Sequence, residues 1–474
     1  MLRILGRPKQ TCDGVTRREA LRVGGLSLFG SATLPNLLRS AQAAGSTAPG
    51  GLSGPAKSVI LLNLFGGPPH MDMFDPKPAA PANVRGEFNP IATSLPGVQI
   101  CELLPETARL MDRASLIRTY SHKYNSHNPY NVLTGFDGGN DRENYFAKRT
   151  DHPSMGSICH YQNVGPTDVP GYVLMPAFPG YTQALRRSGP YGGYLGTRHD
   201  PLFTVCAPQL ARESKGDYDP VVAMGAPMLP SLDQLPDVTA DRLDRRRSLL
   251  TQFDDKLAGL DATRLTDGMT AFQQQVFTIL TGAKTRAAFD LSRETEATRD
   301  RYGRNLWGSS MLIARRLVEA GSTFITVHWE AKGANHWDLH GNNFGMLRSH
   351  LPQLDQLTSA LVLDLEERGL LDSTLVVAMG EMGRSPRING SAGRDHWPQC
   401  GFSLLFGGGT KRGCVLGQTD SQAAYPIDRP VTAGDMAATI YHLLGVDPAM
   451  TVNDLNGRPM HISHGGEPAW EIIA

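Results

Sequence analysis

The sequence predicts an α/β fold, a doubly wound and mostly parallel sheet with helices on both faces. Five short apolar runs are continuous rather than alternating, which is typical of strands buried on both faces. Stretches with a helical repeat lie between them, and strands that alternate with helices favour parallel pairing. The predicted strands are residues 57–64, 115–120, 323–328, 374–378 and 402–406, and the predicted helices are residues 106–113, 306–320, 343–368 and 433–444.

The remaining parts of the chain are predicted from their composition. Residues 57–64 end at Gly-Gly-Pro-Pro, a strong turn signal. Residues 136–235 are rich in Gly, Pro and Tyr, which predicts long ordered loops with few strands. Residues 238–301 are charged, Gln-rich and periodic, which predicts surface helices inserted between two halves of the sheet.

The first 44 residues resemble a twin-arginine signal peptide rather than a folded segment. Arg17 and Arg18 precede a mildly apolar run, residues 23–38, and Ala41-Gln-Ala-Ala supplies small residues for cleavage. We therefore expect export by the twin-arginine route to the periplasm or beyond. Residues 45–474 then form the mature domain, in which no other run reaches the length of a membrane span.

Composition excludes some classes of function. The chain has 474 residues, and its 46 basic and 46 acidic side chains give a formal net charge of zero. A nucleic-acid-binding protein needs a strongly basic face, so we expect no nucleic-acid partner. The six cysteines contain no CxxC pair, which excludes a thiolate zinc knuckle. Cys400 and Cys414 are spaced for a disulfide across a hairpin, although spacing alone does not fix the geometry.

Polar side chains follow four of the predicted strands. Because ligands bind outside the carboxyl ends of parallel strands, four such loops predict one site at that edge of the sheet. The alternative is that loops are simply polar, which favours Ser, Asn and Lys over the residues found. These include His70 and Asp72 after the first strand, Asn125, Ser126 and His127 after the second, His336, Asp338 and His340 after the third, and Glu381 and Arg384 after the fourth.

The segment around His336, Asp338 and His340 indicates metal binding. Residues spaced by two point to one side of an extended backbone, and converging imidazole and carboxylate groups suit a divalent cation. A second His-Trp pair, His396-Trp397, follows Arg394-Asp395 downstream. We expect Trp337 and Trp397 to pack beside the site as apolar walls. The alternative is a surface loop whose histidines serve only as hydrogen-bond partners.

These phrases, in this order, resemble an exported sulfatase-like family of the alkaline phosphatase superfamily, domain of unknown function family 1501, over residues 55–465. The resemblance rests on Gly66-Gly-Pro-Pro-His-Met-Asp72, Trp337-Asp-Leu-His340 and Gly380-Glu-Met-Gly-Arg-Ser-Pro386. It implies a sulfatase-like fold. The chain departs from active sulfatases, because Asn125 stands at the nucleophile position and Ser126 is one residue away.

The resemblance implies a metal-dependent hydrolase of phosphate or sulfate esters, with Asp338, His340 and His396 holding Zn²⁺ or Ca²⁺. His70, Asp72 and Glu381 would complete the shell or hold a second ion. Arg384 and Arg394 would neutralise the anion, and Ser126, beside His127, is the one candidate nucleophile. The partner is then a small anionic ester or a sulfated polysaccharide. The alternative is a non-catalytic protein that binds a metal or an anionic polysaccharide on the same fold, which the missing nucleophile favours.

Overall fold

An eight-stranded sheet forms the centre of the structure, a computed structural model that describes residues 53–137, 146–162, 169–183, 185–230, 282–334 and 336–474. The predicted signal peptide and most of the predicted helical insert at 238–301 lie outside the described residues. The strands, in chain order, are β1 (Ser58–Asn63), β2 (Ala114–Tyr120), β3 (Tyr172–Met175), β4 (Leu202–Phe203), β5 (Phe324–His328), β6 (Thr374–Met379), β7 (Gly401–Phe406) and β8 (Cys414–Leu416).

The sheet is mostly parallel, as predicted. Its strand order is β8-β2-β7-β6-β1-β5-β3-β4. Strand β7 runs antiparallel to its neighbours β6 and β2, and the other neighbouring pairs are parallel. The carboxyl ends of β1, β2, β5 and β6 therefore lie at one edge of the sheet, together with the start of β7.

Helices cover both faces of the sheet, which confirms the predicted fold class. Ile60 and Leu62 of β1 belong to the core beneath α7 and α8, whereas Val59 and Leu61 belong to the core beneath α9. The helices are α1 (Ala82–Arg85), α2 (Pro105–Arg109), α3 (Tyr130–Thr134), α4 (Met155–Tyr161), α5 (Ala283–Phe289), α6 (Glu296–Tyr302), α7 (Leu306–Ala320), α8 (Asn343–Glu367) and α9 (Ala433–Leu444).

Capping residues define the ends of α7 and α9. The Asn305 side chain accepts a hydrogen bond from the Gly308 N–H at the start of α7. Thr432 and Asp435 form a reciprocal capping box at the start of α9. Each of the two helices ends at a glycine in the left-handed conformation. Both helices were predicted with these bounds.

The prediction that residues 136–235 carry few strands missed two members of the sheet. Strand β3 has four residues and β4 has two, and both lie in a Gly- and Pro-rich context where no long apolar run is visible. Strand β3 is buried because it pairs with β5 along its whole length. Such strands form through tertiary pairing rather than through local propensity.

Five two-stranded ribbons lie outside the central sheet, and one of them carries part of the site described below. The ribbons pair Pro90–Ala92 with Gln99–Cys101, Gln209–Leu210 with Ala223–Met224, Gly383–Arg384 with His396–Trp397, Gln418–Thr419 with Pro426–Asp428, and Thr451–Asn453 with Pro459–His461.

Cys400 and Cys414 do not form the disulfide that their spacing permits. Both are free thiols. Cys400 immediately precedes the residue that pairs with Tyr120, whereas Cys414 pairs with Ser115. The five residues that separate Tyr120 from Ser115 place the two cysteines roughly 16 Å apart along β2, far beyond the reach of a disulfide.

In the described part of the chain, no helix combines the length and the apolar character needed to cross a bilayer.

Candidate metal centre

Four side chains from three loops meet at the carboxyl edge of the sheet. His127 follows β2, Asp338 and His340 follow β5, and His396 lies in the ribbon that precedes β7. One potential ligand atom from each residue lies within 4.8 Å of those of the other three. The structure thus brings together Asp338, His340 and His396, as predicted, and adds His127 to them.

Asp338 occupies the centre of this group. Its Oδ1 atom lies 3.0 Å from His127 Nε2, 3.1 Å from His340 Nε2 and 3.7 Å from His396 Nε2. Four ligands at about 2.0–2.1 Å from a tetrahedral metal ion are separated by roughly 3.3 Å. The three distances from Asp338 are therefore close to the edges of a tetrahedral ligand shell, and the remaining ligand atoms lie within 4.8 Å of one another.

Two further carboxylates fix the orientation of two of the imidazoles. Glu381 Oε1 lies 2.9 Å from His127 Nδ1, and it also accepts a hydrogen bond from the Gly66 N–H. Asp395 Oδ1 lies 3.0 Å from His340 Nδ1. A carboxylate that accepts the Nδ1 proton leaves the Nε2 lone pair free for a metal. Both Nε2 atoms face Asp338.

Buried polar atoms without partners indicate that these residues fit an ion. His127 Nε2, His396 Nε2 and Glu381 Oε2 are buried and make no hydrogen bond to the described residues. Buried nitrogen and oxygen atoms in folded proteins are almost always hydrogen-bonded or coordinated. An ion among the Nε2 atoms would supply the missing partner for two of these three atoms.

Mutual interactions also change the pKa values within the group. Burial opposes ionisation of Asp338, but its interactions with His127, His340 and His396 outweigh burial and hold its pKa well below the usual value. The hydrogen bond to Asp338 raises the pKa of His340. Burial lowers the pKa of His396. Asp338 is therefore anionic at neutral pH, the form that binds a cation.

His336 does not belong to the group, although its spacing predicted that it would point the same way. Its ring contacts Phe65, with centroids 5.0 Å apart, and lies 6.3 Å from the ring of His127. Burial and the neighbouring His127 lower the pKa of His336 to about 4. The segment is a loop rather than a strand, so the expected alternation of side chains does not hold.

The predicted activation of Ser126 by His127 is contradicted by the orientation of the imidazole. Both ring nitrogens of His127 face carboxylates, those of Glu381 and Asp338. Ser126 Oγ is buried and makes no hydrogen bond to the described residues. Ser126 thus has no base, and His127 stands at a ligand position instead.

Arg384 holds Asp338 rather than standing free for an anion. The guanidinium is fully buried and donates to the carbonyls of Gly66, Gly67 and Arg394. It also donates to the Trp337 carbonyl at 3.3 Å and forms a 2.6 Å ion pair with Asp338 Oδ1. The structure thus places Arg384 as a partner of Asp338 and of backbone carbonyls, and its predicted role in neutralising an anion stays a prediction.

Asp72 and Arg394 form a separate buried pair. Arg394 Nε and Nη2 donate to the two Asp72 oxygens at 2.7 and 2.8 Å, and both side chains are buried. Neither belongs to the metal-ligand group. In this structure each residue neutralises the other, and metal binding by Asp72 and anion binding by Arg394 stay predictions.

Glu381 and His70 also lie outside the set of ligands, although both were predicted as such. Glu381 contacts the Nδ1 side of His127 and supports the group from behind. His70 is fully buried, and its Nε2 lies 2.7 Å from the carbonyl oxygen of Ala423. Burial lowers the pKa of His70, so its imidazole is neutral.

Both tryptophans contact other parts of the fold, and their predicted role as walls of the site stays a prediction. The Trp337 ring is fully buried against Trp329 and His350, where it anchors the loop to the core. The Trp397 indole N–H donates to the Ala424 carbonyl, and its ring contacts Tyr425 edge-on.

A conservative change at Glu381 tests its role in supporting His127. We expect Glu381→Gln to weaken binding of Zn²⁺ by about 10–100-fold, the usual effect of removing a carboxylate behind a ligating histidine. Competition against a chelator measures the affinity. Glu330→Gln is the matched control, because Glu330 is a buried carboxylate 3.0 Å from His328 Nε2 and outside the group. Equal effects of the two substitutions would contradict the role of Glu381.

Comparison with known proteins identifies one family. The family described as "Protein of unknown function (DUF1501)" matches residues 56–473. No curated protein matches the sequence.

Solved structures of similar fold have low sequence identity to this chain. The crystal structure of Ps i-CgsB has 11% identity and a TM-score of 0.38, covering 87% of this chain and 75% of that chain. The PsFucS1 sulfatase from Pseudoalteromonas sp. has 14% identity and a TM-score of 0.33, covering 86% and 70%. The phosphonate monoester hydrolase SpPMH from Silicibacter pomeroyi has 12% identity and a TM-score of 0.33, covering 87% and 77%. Likeness at this level carries no inference about activity.

Proposed function

We propose that this chain, which belongs to the DUF1501 family, is a zinc-dependent hydrolase of phosphate or sulfate esters. The observation that carries the proposal is the geometry of the four-residue group. Asp338 Oδ1 lies 3.0 Å, 3.1 Å and 3.7 Å from the Nε2 atoms of His127, His340 and His396, and the four potential ligand atoms lie within 4.8 Å of one another. Two further carboxylates contact the Nδ1 atoms of His127 and His340.

The donor set favours zinc over calcium. Calcium takes six to eight oxygen ligands, whereas imidazole suits zinc and other transition metals. Charge supports a divalent ion as well. Counting only the described side chains that contact the group's side chains directly, the carboxylates of Asp338, Glu381 and Asp395 stand against the guanidinium of Arg384, which leaves two negative charges when the imidazoles are neutral. A divalent cation balances them.

The chain's own residues hold the ion and leave one side of it open. The His340 and Asp338 side chains are 35% and 26% exposed, so a substrate can approach from that side. Arg384 fixes the position of Asp338 from the buried side. When bound, zinc supplies a Lewis acid that polarises an ester oxygen and acidifies water. Because Ser126 has no base, we assign the attack to water rather than to a serine.

A second function has one observation in its favour. Four protein ligands close a tetrahedral shell, which is typical of structural zinc sites, whereas catalytic sites keep a position for water. A non-catalytic protein that binds metal and an anionic polysaccharide would need nothing more. The hydrolase instead requires the ion to accept a fifth ligand from the exposed side, an expansion that zinc makes in catalysis.

The place of action and the partner follow from the sequence. The twin-arginine motif at Arg17 and Arg18 supports export of the folded chain to the periplasm or beyond. We propose as substrate a small anionic ester or a sulfated polysaccharide.

The test combines metal analysis with an assay of turnover. We expect the purified protein to contain about one zinc ion for each group of four ligands, and to hydrolyse 4-nitrophenyl phosphate or 4-nitrophenyl sulfate until a chelator removes the metal. Ser126→Ala is expected to retain most of the rate, because water attack does not use this hydroxyl. Tightly bound zinc without turnover of either ester would favour the non-catalytic function. Absence of bound zinc would contradict both.

A further inference from the structure

Tyr218 comes from a part of the chain that no motif marked as functional. It lies in the loop 211–222 between Gln209–Leu210 and Ala223–Met224, which pair as a ribbon. Its phenol ring lies on the backbone of Gly341, where a Cβ atom would be 2.8 Å from Tyr218 Cδ2. Gly341 directly follows His340, and Tyr218 interacts electrostatically with Asp338, so the ring lies next to the segment that carries these two ligands.

The loop is held in place at three points. At its base, Leu210 packs against Gly333 in the loop that follows β5. Within it, Arg212 forms a bidentate ion pair with Asp219. At its tip, the Asn342 side chain donates a 3.0 Å hydrogen bond to the Tyr218 carbonyl. The position of the phenol is therefore set by the fold.

The hydroxyl of Tyr218 is a donor without a protein acceptor. Among the described residues it makes no hydrogen bond, and the side chain is half-buried. Burial raises the pKa of Tyr218, and the charges with the largest effects on it are those of Asp338, which raises it further, and Arg384, which lowers it. The hydroxyl is thus protonated at neutral pH and able to donate.

Among the described residues, the two buried arginines beside the metal centre are not free to bind an anion. The guanidinium groups of Arg384 and Arg394 are buried and occupied by protein carbonyls and carboxylates. A tetrahedral oxyanion at the metal has further oxygens that need partners, because an unpaired anionic oxygen is costly in a half-buried site.

We propose that Tyr218 is a substrate-contacting residue, which forms one wall of the open side of the centre and donates its hydroxyl hydrogen bond to a tetrahedral oxyanion held there. The proposal rests on the metal centre of the proposed function, but not on turnover. Phosphate and sulfate share the required chemistry, and the test distinguishes them.

The test uses the full-length, zinc-loaded protein with inorganic phosphate and inorganic sulfate as probes in titration calorimetry. We expect the wild type to bind at least one of them, and Tyr218→Phe to bind it about tenfold or more weakly, the factor expected for a hydrogen bond to a charged group. The zinc content of Tyr218→Phe should be unchanged. Tyr161→Phe, a half-exposed tyrosine on α4, is the control and should bind as the wild type does.

Three other outcomes overturn the proposal. If Tyr218→Phe and the wild type bind the anion with equal affinity, the hydroxyl does not contribute to anion binding. Loss of zinc in the variant would show that Tyr218 has a structural role instead. If the zinc-loaded wild type binds neither phosphate nor sulfate, the site does not bind a tetrahedral oxyanion. Anion binding that is sensitive to Tyr218 but accompanied by no ester turnover supports this inference while contradicting the hydrolase.

Discussion

Replacing His396 with alanine is expected to weaken zinc binding by about 10²–10³-fold. Structural zinc sites contribute about 10–16 kcal/mol of apparent binding free energy, so each of four ligands accounts for roughly 2.5–4 kcal/mol. His396 is the cleanest ligand to remove, because its Nε2 makes no hydrogen bond to the described residues and its loss leaves no protein group unpaired. Removing Asp338 would instead leave the buried Arg384 without its counter-ion.

Competition with a chelator at fixed pH measures this effect, and His442→Ala is the control. His442 is a half-buried imidazole that contacts Trp470 and lies outside the metal-ligand group. We expect its replacement to leave zinc affinity unchanged. If both variants bind zinc like the wild type, the four-residue group is not a metal site. Ester turnover, where present, should fall with zinc occupancy in His396→Ala and not in the control.

Much of the sheet was predictable because its central strands are buried on both faces. Strands β1, β5 and β6 neighbour one another and carry continuous apolar runs, and such runs have few other stable environments in a soluble domain. Strands β3 and β4 were not predictable, because they are short and owe their conformation to pairing with β5 and with each other. The partner strand β5 lies about 150 residues further along the sequence, so local sequence patterns do not predict this pairing.

The candidate site was predictable in part. Asp338, His340 and His396 carry the residue types that a metal requires, and the resemblance to a known family placed them together. The role of His127 was not predictable, because it depends on which ring nitrogen faces which carboxylate. One feature of the sequence could have suggested this role. His127 and Glu381 both follow predicted strands of the same sheet, and a histidine that binds a metal usually donates its other ring N–H to a carboxylate.

The two arginines show that residue type alone does not reveal the partners of a side chain. Guanidinium groups suit phosphate and sulfate, which made Arg384 and Arg394 reasonable candidates. Both are wholly buried and bind carbonyls and carboxylates of the fold. Burial of a charge is a tertiary property, which the sequence does not show. Tyr218 illustrates the converse, since only the path of its loop places a common residue beside Gly341.

Replacing Asp72 with asparagine is expected to lower the free energy of unfolding by about 3–5 kcal/mol, because it leaves the fully buried Arg394 charge uncompensated. Urea unfolding in the presence of a chelator measures this loss without a contribution from metal. Glu87→Gln is the matched control, since Glu87 pairs with Arg348 at 3.0 Å but both side chains are more than half exposed. Its replacement should cost less than about 1 kcal/mol.

The same substitution connects the buried pair to the metal centre. Arg394 also donates to the carbonyls of Val84, Ser385 and Pro386. These hydrogen bonds fix the backbone of the segment that leads into Asp395 and His396. We therefore expect Asp72→Asn to weaken zinc binding less than His396→Ala does, through loosening of this segment. A stability loss that appears only with zinc present and vanishes with the chelator would mean that Asp72 is a metal ligand after all. A loss that persists without metal assigns Asp72 to the neutralisation of Arg394, as the structure does.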